Sequence, residues 1–267
     1  MASQENLVDL GANSATKKVP WNPWLGVGYV LAIYVFSQVV GLSIIVYPWL
    51  RHWSSAASSA WVNNSIYAQF FYVLIVEGFS VLAVLKLLKI YKVKPNIIGL
   101  RRPKLSDGLY GLAAVPIYYI LYLVAVGSIS YFYKGLNVKQ QQNIGFSGAH
   151  GVAELVITFI SLVILPPIAE EILVRGFLYG SLKKGMPTFA AAIVTSVIFA
   201  SAHLPEGAGG LLWIGFIDTF ILSIVLVFIR EKTDGLWAGM TLHGLKNGVA
   251  YVVLYITPLV QFHYFKF

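Results

Sequence analysis

The side chains best able to do chemistry in this chain are a few ionisable groups set within long apolar stretches. Glu170 and Glu171 are adjacent, and Arg175 follows Glu171 by four residues. Adjacent residues on a helix point about 100° apart, whereas residues four apart share a face. We therefore expect Arg175 to pair with Glu171, which leaves Glu170 as the carboxylate free to react. The alternative is an ion pair that only holds neighbouring helices together.

Two histidines and an asparagine complete the candidate set. His203 follows Phe199 by four residues, and a Leu-Pro step after it predicts a helix end. His243 and Asn247 are also four residues apart, so both can act on one bound atom. One carboxylate and two imidazoles match a hydrolytic zinc site, and they equally suit a metal-free site in which a glutamate activates water. Asn247 is suited to donate to a developing oxyanion.

The elements that carry these residues are predicted to be transmembrane helices. The chain has 267 residues, of which 58% are hydrophobic and only 11% charged. Soluble domains carry about 25% charged residues, so a soluble globule is excluded. The absence of cysteine excludes a disulfide scaffold, a thiolate zinc site and a cysteine nucleophile. Seven stretches are long and apolar enough to cross a bilayer, namely 24–50, 66–88, 108–133, 152–182, 188–203, 209–229 and 235–257. We predict an all-α polytopic bundle of about seven spans, with a re-entrant element near the short fifth stretch or 207–210 as the alternative.

The basic residues predict the orientation of this bundle. Placing the N-terminus in the cytoplasm leaves only Arg51, Lys134, Lys139 and Lys266 in the external loops and tail. The cytoplasmic side then holds Lys17, Lys18, Lys86, Lys89, Lys92, Lys94, Arg101, Arg102, Lys104, Arg175, Lys183, Lys184, Arg230 and Lys232. Helical rise places Glu170, His203 and His243 about 13 to 24 Å from this side. We therefore predict a shared intramembrane pocket that opens toward the cytoplasmic half.

Three motifs on these spans resemble the CPBP family of intramembrane proteases, which includes the type II CAAX prenyl endopeptidases and the Abi bacteriocin-immunity proteins. The family's E-E-x-x-x-R is matched by residues 170–175, with Pro166 and Pro167 before it. Its F-x-x-x-H is matched by 199–203, and its H-x-x-x-N by 243–247. No single motif is specific, but three in matching order are.

The resemblance implies a role for each matched residue. Glu170 would activate the attacking water, and His203 and His243 would bind a metal or stabilise the transition state. Asn247 would assist at the oxyanion or metal. Three residues would support the site, namely Glu171, Arg175 and Phe199. If zinc is bound, its ligands would be Glu170, His203 and His243, and the resemblance leaves open whether zinc is required.

The resemblance covers about residues 150–250, so we divide the chain into a polar segment 1–23, a variable transmembrane part 24–150, a catalytic core 151–257 and a tail 258–267. The implied function is an intramembrane endopeptidase acting on peptides or lipidated, CAAX-type proteins in the plasma membrane. The net charge of +8 is assigned to cytoplasmic loops and not to nucleic acid. The sequence does not define an oligomeric state.

Two other functions use the same sequence features. A non-catalytic immunity or regulatory membrane protein could have this fold, and the complete motif set favours catalysis over it. A transporter would use Glu77 and Asp218 as relay carboxylates. We expect these two carboxylates instead to form hydrogen bonds between helices.

Overall fold

The computed structural model describes residues 19–258, and this part of the chain is helical. Its helices are α1 (Pro23–Leu50), α2 (Ser55–Asn64), α3 (Ile66–Ile90), α4 (Leu105–Phe132), α5 (Val152–Gly185), α6 (Thr188–Ala202), α7 (Trp213–Thr233) and α8 (Trp237–Tyr251), which continues as a π-helix over Val252–Ile256. Most of the predicted segment 1–23 and of the tail 258–267 lies outside the described residues.

Six of these helices are long and apolar enough to cross a membrane, namely α1, α3, α4, α5, α7 and the segment Thr188–Glu206 that begins with α6. The predicted polytopic helical bundle is therefore confirmed. The seventh predicted span is helical from Trp237 to Ile256. It carries His243, Lys246 and Asn247 and is not among the six, so the count of seven and the orientation stay predictions.

Apolar side chains on the outside of the bundle fit a lipid surround. In α4 only 11% of the most apolar window is buried inside the protein, and Leu123 is 66% exposed. In water such a helix would expose most of its apolar side chains, whereas in a bilayer these side chains contact hydrocarbon. Its backbone hydrogen bonds are satisfied within the helix, as a membrane span requires. Small residues lie where two helices approach each other closely. Gly111, for example, lets α4 approach α8 so closely that a Cβ there would meet the Ala238 carbonyl at 2.7 Å.

The two ends of the bundle differ in charge. We call one the basic end, because it contains segments 86–104, 183–188 and 230–237 with most of the lysines and arginines. The other is the loop end, formed by segments 51–65, 133–151 and 203–212. Successive spanning helices run alternately between the two ends.

The basic end is closed by a dense apolar core. The Trp21 and Phe177 rings stack with centroids 4.5 Å apart, and Trp21 Nε1 donates to Ser181 Oγ at 2.7 Å. Leu88, Ile98 and Leu182 surround them and are at most 2% exposed. Fully buried side chains of this size stabilise by about 1.5–3 kcal/mol each where burial removes them from water.

The loop end is held by polar contacts between two loops. Gln140 donates to the Leu211 carbonyl at 2.8 Å and accepts from the Ile214 amide at 3.1 Å. Gln142 Nε2 donates to Glu206 at 2.6 Å, and Gln142 forms an isolated β-bridge with Gly207. The glutamine-rich segment therefore fixes the loop that follows His203.

Candidate active site

The Pro-Pro pair determines the shape of α5 at the site. A π-helical segment occupies Ile160–Ile164, and the helix resumes at Leu165 with the prolines in its first turn. Proline has no N–H, so the carbonyls four residues before Pro166 and Pro167 lose their helical partners. These are the carbonyls of Leu162 and Val163. A second π-helical segment, Glu171–Leu178, begins at the second glutamate of the motif. Such segments are frequent at functional sites.

Helix α8 packs against these two carbonyls. Asn247 Nδ2 donates to the Leu162 carbonyl at 2.9 Å. A Cβ at Gly244 would lie 3.3 Å from the Val163 oxygen, so the glycine permits the close approach. The proline pair on α5 and the H-G-x-x-N run on α8 thus form one packing unit. Asn247 and Gly244 have this positioning role because of the π-helical segment before the prolines. The sequence reasoning did not predict this role.

Glu171 is buried inside the protein, where its carboxylate contacts the Arg175 guanidinium and the His243 imidazole. One of its oxygens is 3.1 Å from Arg175 Nη1 and 3.3 Å from His243 Nδ1. Glu171 is 1% exposed and Arg175 0%. The guanidinium also lies over the Phe199 ring, 4.3 Å from its centroid. The sequence prediction that Arg175 pairs with Glu171 agrees with this geometry, and the contact of Glu171 with His243 adds to it.

Gly239 on α8 makes room for this arrangement. A Cβ there would lie 2.8 Å from Glu171 Oε2. A larger residue would push the carboxylate away from Arg175 and His243. No motif marked this glycine, because the requirement arises only where α8 crosses α5.

Glu170 faces the opposite nitrogen of the same imidazole. Its Oε2 lies 3.7 Å from His243 Nε2, and its side chain is 23% exposed. A carboxylate oxygen only accepts hydrogen bonds, so Glu171 selects the tautomer that carries a proton on Nδ1. His243 is therefore oriented by one glutamate and directed at the other. Glu170 is the glutamate that a substrate can reach.

His203 is oriented in a similar way from α6. Its Nδ1 lies 2.9 Å from the Phe199 carbonyl, which leaves Nε2 for other partners. The Phe199 ring stands edge-on to both imidazoles, with centroid distances of 4.8 Å to His203 and 6.3 Å to His243. Phe199 is thus the spacer between the two histidines and also the surface on which Arg175 rests.

A cavity of about 350 Å³ brings the predicted residues together. Its lining includes Glu170, His203, His243 and Asn247. A second cavity of about 710 Å³ runs between α1, α3, α5 and α6 and is mostly apolar. Five residues line both cavities, namely Glu77, Glu170, Phe199, His203 and Glu206. Glu170 and His203 therefore stand where the two cavities meet.

A second charged cluster lies in the wall of the smaller cavity. Lys246 Nζ is 2.9 Å from Asp218 Oδ2, and Tyr118 donates to the other oxygen of Asp218. The cluster joins α4, α7 and α8, so Asp218 does link helices, as the sequence reasoning expected. Lys246 is adjacent to Asn247 and therefore points about 100° away from it around α8. Its side chain nonetheless lines the cavity.

The arrangement of donors does not form a preset metal site. Among residues 19–258, no group of three His, Asp or Glu side chains lies close enough to hold one ion. Glu170, His203 and His243, the predicted zinc ligands, are therefore not gathered around one point in this geometry, and zinc binding stays a prediction.

The cavity lies toward one end of the bundle. It is lined by Gln142, Asn143 and Phe146 of the loop end, and by residues from the adjoining halves of α3, α5, α7 and α8. The basic end is filled by the core around Trp21 and Phe177. The cavity thus lies toward the loop end, and the orientation of the bundle in the membrane stays a prediction.

A helical membrane bundle thus brings a carboxylate, two oriented imidazoles and an amide together around one cavity. Residues 152–249 match the family model described as "Type II CAAX prenyl endopeptidase Rce1-like". The match spans α5 to α8 up to Val249 and includes all three motifs. It supports the CPBP/CAAX protease family, so the predicted resemblance is confirmed. The family implies a protease with a prenylated or membrane-tethered substrate. Comparison with curated proteins and with solved structures finds no match.

Proposed function

We propose that the protein is an intramembrane endopeptidase in which Glu170 activates water to cleave peptide bonds of membrane-tethered or lipidated substrates. The observation that carries this proposal is the placement of His243 between two glutamates. Its Nδ1 is 3.3 Å from the buried Glu171, and its Nε2 is 3.7 Å from Glu170 in the cavity. A carboxylate that is open to a cavity and lies beside an oriented imidazole is the arrangement that general-base catalysis needs.

The chemistry follows from the groups around the cavity. Glu170 takes a proton from a water molecule as the water oxygen attacks the carbonyl carbon of the scissile bond. Glu170 then gives this proton to the leaving amine as the carbon–nitrogen bond breaks, which restores the carboxylate. Such proton transfer by a positioned side chain contributes about 10²–10⁴-fold.

Two groups are available for the oxyanion formed in the first step. Asn247 uses one N–H for the Leu162 carbonyl and retains a second. His203 has Nδ1 against the Phe199 carbonyl and directs Nε2 elsewhere, so as an imidazolium it can donate from Nε2. Removal of one such donor costs about 10²–10³ in kcat in other hydrolases. Glu171 and Arg175 act through His243 and do not touch the substrate.

The pair of cavities supports a lipid-bearing substrate. The larger cavity is lined by apolar side chains such as Val30, Leu31 and Leu173 and lies beside α1 on the outside of the catalytic helices. The smaller cavity carries the polar groups. A substrate with an apolar anchor in the first and a peptide in the second would bring its scissile bond to Glu170.

The test is cleavage of a farnesylated C-a-a-X peptide by the purified protein, with the same peptide lacking the lipid as a substrate control. We expect wild type to cleave the lipidated peptide and Glu170→Gln to show only background cleavage. Glu231→Gln is the matched variant, because it makes the same change in a carboxylate that pairs with Lys183 at the basic end and lines neither cavity. We expect it to stay within about threefold of wild type, since it is remote from the site of proton transfer. Equal activity of wild type and Glu170→Gln would overturn the proposal.

Metal dependence is decided on the same preparation. Elemental analysis gives the zinc content per chain, and cleavage is measured before and after treatment with a chelator. Full activity in zinc-free protein would support a glutamate mechanism, whereas activity that disappears with the chelator and returns with zinc would replace it with a metalloprotease mechanism.

A further inference from the structure

We propose that the site receives its substrate from the membrane face opposite the cytoplasm. This inference rests on the proposed function and adds the substrate class: polypeptide segments that lie outside the cytoplasm, either tethered to the outer leaflet or adjoining a transmembrane segment.

The first observation is the segregation of charge between the two ends of the bundle. In the part of the chain that the structure describes, the loop end carries Arg51, Lys134 and Lys139. The basic end carries eleven cationic residues, namely Lys86, Lys89, Lys92, Lys94, Arg101, Arg102, Lys104, Lys183, Lys184, Arg230 and Lys232. Short loops rich in lysine and arginine remain in the cytoplasm. The loop end is therefore the external end.

The second observation is the depth of the reactive groups. His203 directly follows α6, which has 15 residues and begins at the basic end. A helix of that length rises about 22 Å, which exceeds half of a hydrocarbon core of about 30 Å. His203 thus lies in the half of the membrane near the loop end, and Glu170 shares both cavities with it.

The third observation is that the basic end is closed, so that of the two ends only the loop end offers a path to the site. The smaller cavity extends to Gln142, Asn143 and Phe146 in the loop that follows α4. Toward the basic end, Phe177, Leu178 and Leu182 are at most 1% exposed and fill the interior below Glu170. The larger cavity approaches Glu170 from the side, between helices. A substrate can therefore enter from the loop end or laterally from the bilayer.

Aromatic side chains agree with the placement of the loop end at a membrane interface. Trp49 is 70% exposed, Tyr131 70% and Phe132 84%, and all three lie where spans meet the loops. Exposed aromatic residues are enriched at both membrane–water boundaries. The polar loop that lines the cavity thus lies just outside the bilayer.

The test uses single-cysteine variants, which are clean because the chain contains no cysteine. Lys94→Cys reports the basic end and Lys139→Cys the loop end, since both side chains are exposed. Ala250→Cys reports the cavity wall, one helical turn beyond Asn247. Ala191→Cys is the matched control, as it places the same side chain at a fully buried alanine. The probe is a charged, membrane-impermeant thiol reagent applied to intact cells and to permeabilised cells.

We expect Lys139→Cys and Ala250→Cys to react in intact cells. Lys94→Cys should react only after permeabilisation, and Ala191→Cys should react in neither case. Reaction of Ala250→Cys only from the side on which Lys94→Cys reacts would overturn the proposal. It would also be overturned if Lys94→Cys reacted in intact cells, or if Ala250→Cys reacted from neither side.

A cleavage assay separates this proposal from the proposed function. The protein is reconstituted into vesicles, and its orientation is measured with the Lys139→Cys and Lys94→Cys labels. Mixed-sequence peptides with an acyl anchor are then added to the outer leaflet. We expect cleavage in proportion to the fraction of protein with the loop end outward, and none with Glu170→Gln. External labelling of Ala250→Cys without cleavage in any orientation would contradict the protease assignment while leaving the side of access in place.

Discussion

Within the spanning helices of residues 19–258, two ion pairs of a carboxylate with a lysine or arginine differ in burial and in surroundings. Glu171 and Arg175 are 3.1 Å apart with side chains 1% and 0% exposed. Asp218 and Lys246 are 2.9 Å apart with side chains 19% and 21% exposed. The first pair is sealed behind His243, whereas the second lines the cavity.

The difference indicates how each pair acts. In an ion pair that is buried away from solvent, each charge is stabilised mainly by its partner. Removal of one partner therefore leaves an uncompensated charge in a low-dielectric region. A charge that lines a cavity still has other groups to interact with when its partner is removed. Asp218, for example, also accepts a hydrogen bond from the Tyr118 hydroxyl. We therefore expect the buried pair to determine both stability and the orientation of His243. The cavity pair should have a smaller effect.

The largest expected effect is that of Arg175→Met, which leaves Glu171 buried without its cation. We expect a loss of about 3–5 kcal/mol in the free energy of unfolding. Thermal unfolding of the purified protein in detergent measures it. Lys183→Met is the matched control, because it removes the cation of the Lys183–Glu231 pair, whose side chains are 30% and 33% exposed. A control that destabilises as much as Arg175→Met would remove the basis of the comparison.

Gly239→Ala should come second. The added methyl group would meet Glu171 Oε2 at 2.8 Å and displace it from Arg175 and His243. Overpacking of this kind costs about 1–3 kcal/mol. We expect a lower unfolding midpoint and a lower kcat. Gly78→Ala is the control, since a Cβ there meets nothing within 4 Å. Wild-type stability and kcat in Gly239→Ala would show that the carboxylate position is not critical.

Lys246→Met should have a smaller effect on stability, of about 0.5–2 kcal/mol, as found for polar contacts between membrane helices. The double variant Lys246→Met/Asp218→Asn removes both charges and should recover part of the loss. Unfolding midpoints of the two variants are the measurement. A loss as large as that of Arg175→Met would show that the cavity does not solvate Asp218.

Asn247→Ala should change stability least, because it removes one neutral hydrogen bond of about 1 kcal/mol to the Leu162 carbonyl. Its effect on kcat should be larger, about 10²-fold, if the second N–H serves the oxyanion. Parallel measurement of unfolding and of peptide cleavage separates the two. A fall in stability without a fall in kcat would show that Asn247 only holds α8 against α5 and does not stabilise the oxyanion.

The buried pair could be predicted from the sequence because both partners lie on one helix. The i, i+4 spacing of Glu171 and Arg175 survives in the π-helical segment, and the three motifs identify the residues that meet at the cavity. The limits of the predicted spans were also close, for example 152–182 against Val152–Gly185. Local periodicity and composition carry this information.

The cavity pair could not be predicted in the same way. Asp218 and Lys246 lie on different helices, and their contact depends on how α7 and α8 cross. The same limit applies to Gly239 and to the contact between Asn247 and the Leu162 carbonyl. The side on which the site opens stays a prediction, because depth from the basic residues does not show which end of the bundle the apolar core fills.

The central claim is that the two adjacent glutamates have separate roles, with Glu170 reacting and Glu171 orienting. The most direct test is kcat/KM of Glu170→Gln for the lipidated peptide, measured beside its unfolding midpoint. The account predicts a fall of at least about 10²-fold with an unfolding midpoint close to that of wild type, because proton transfer is lost while the buried contacts of Glu171 remain. A Glu170→Gln protein that folds normally and retains more than about a tenth of wild-type kcat/KM would contradict it, since so small a loss is less than general-base catalysis supplies.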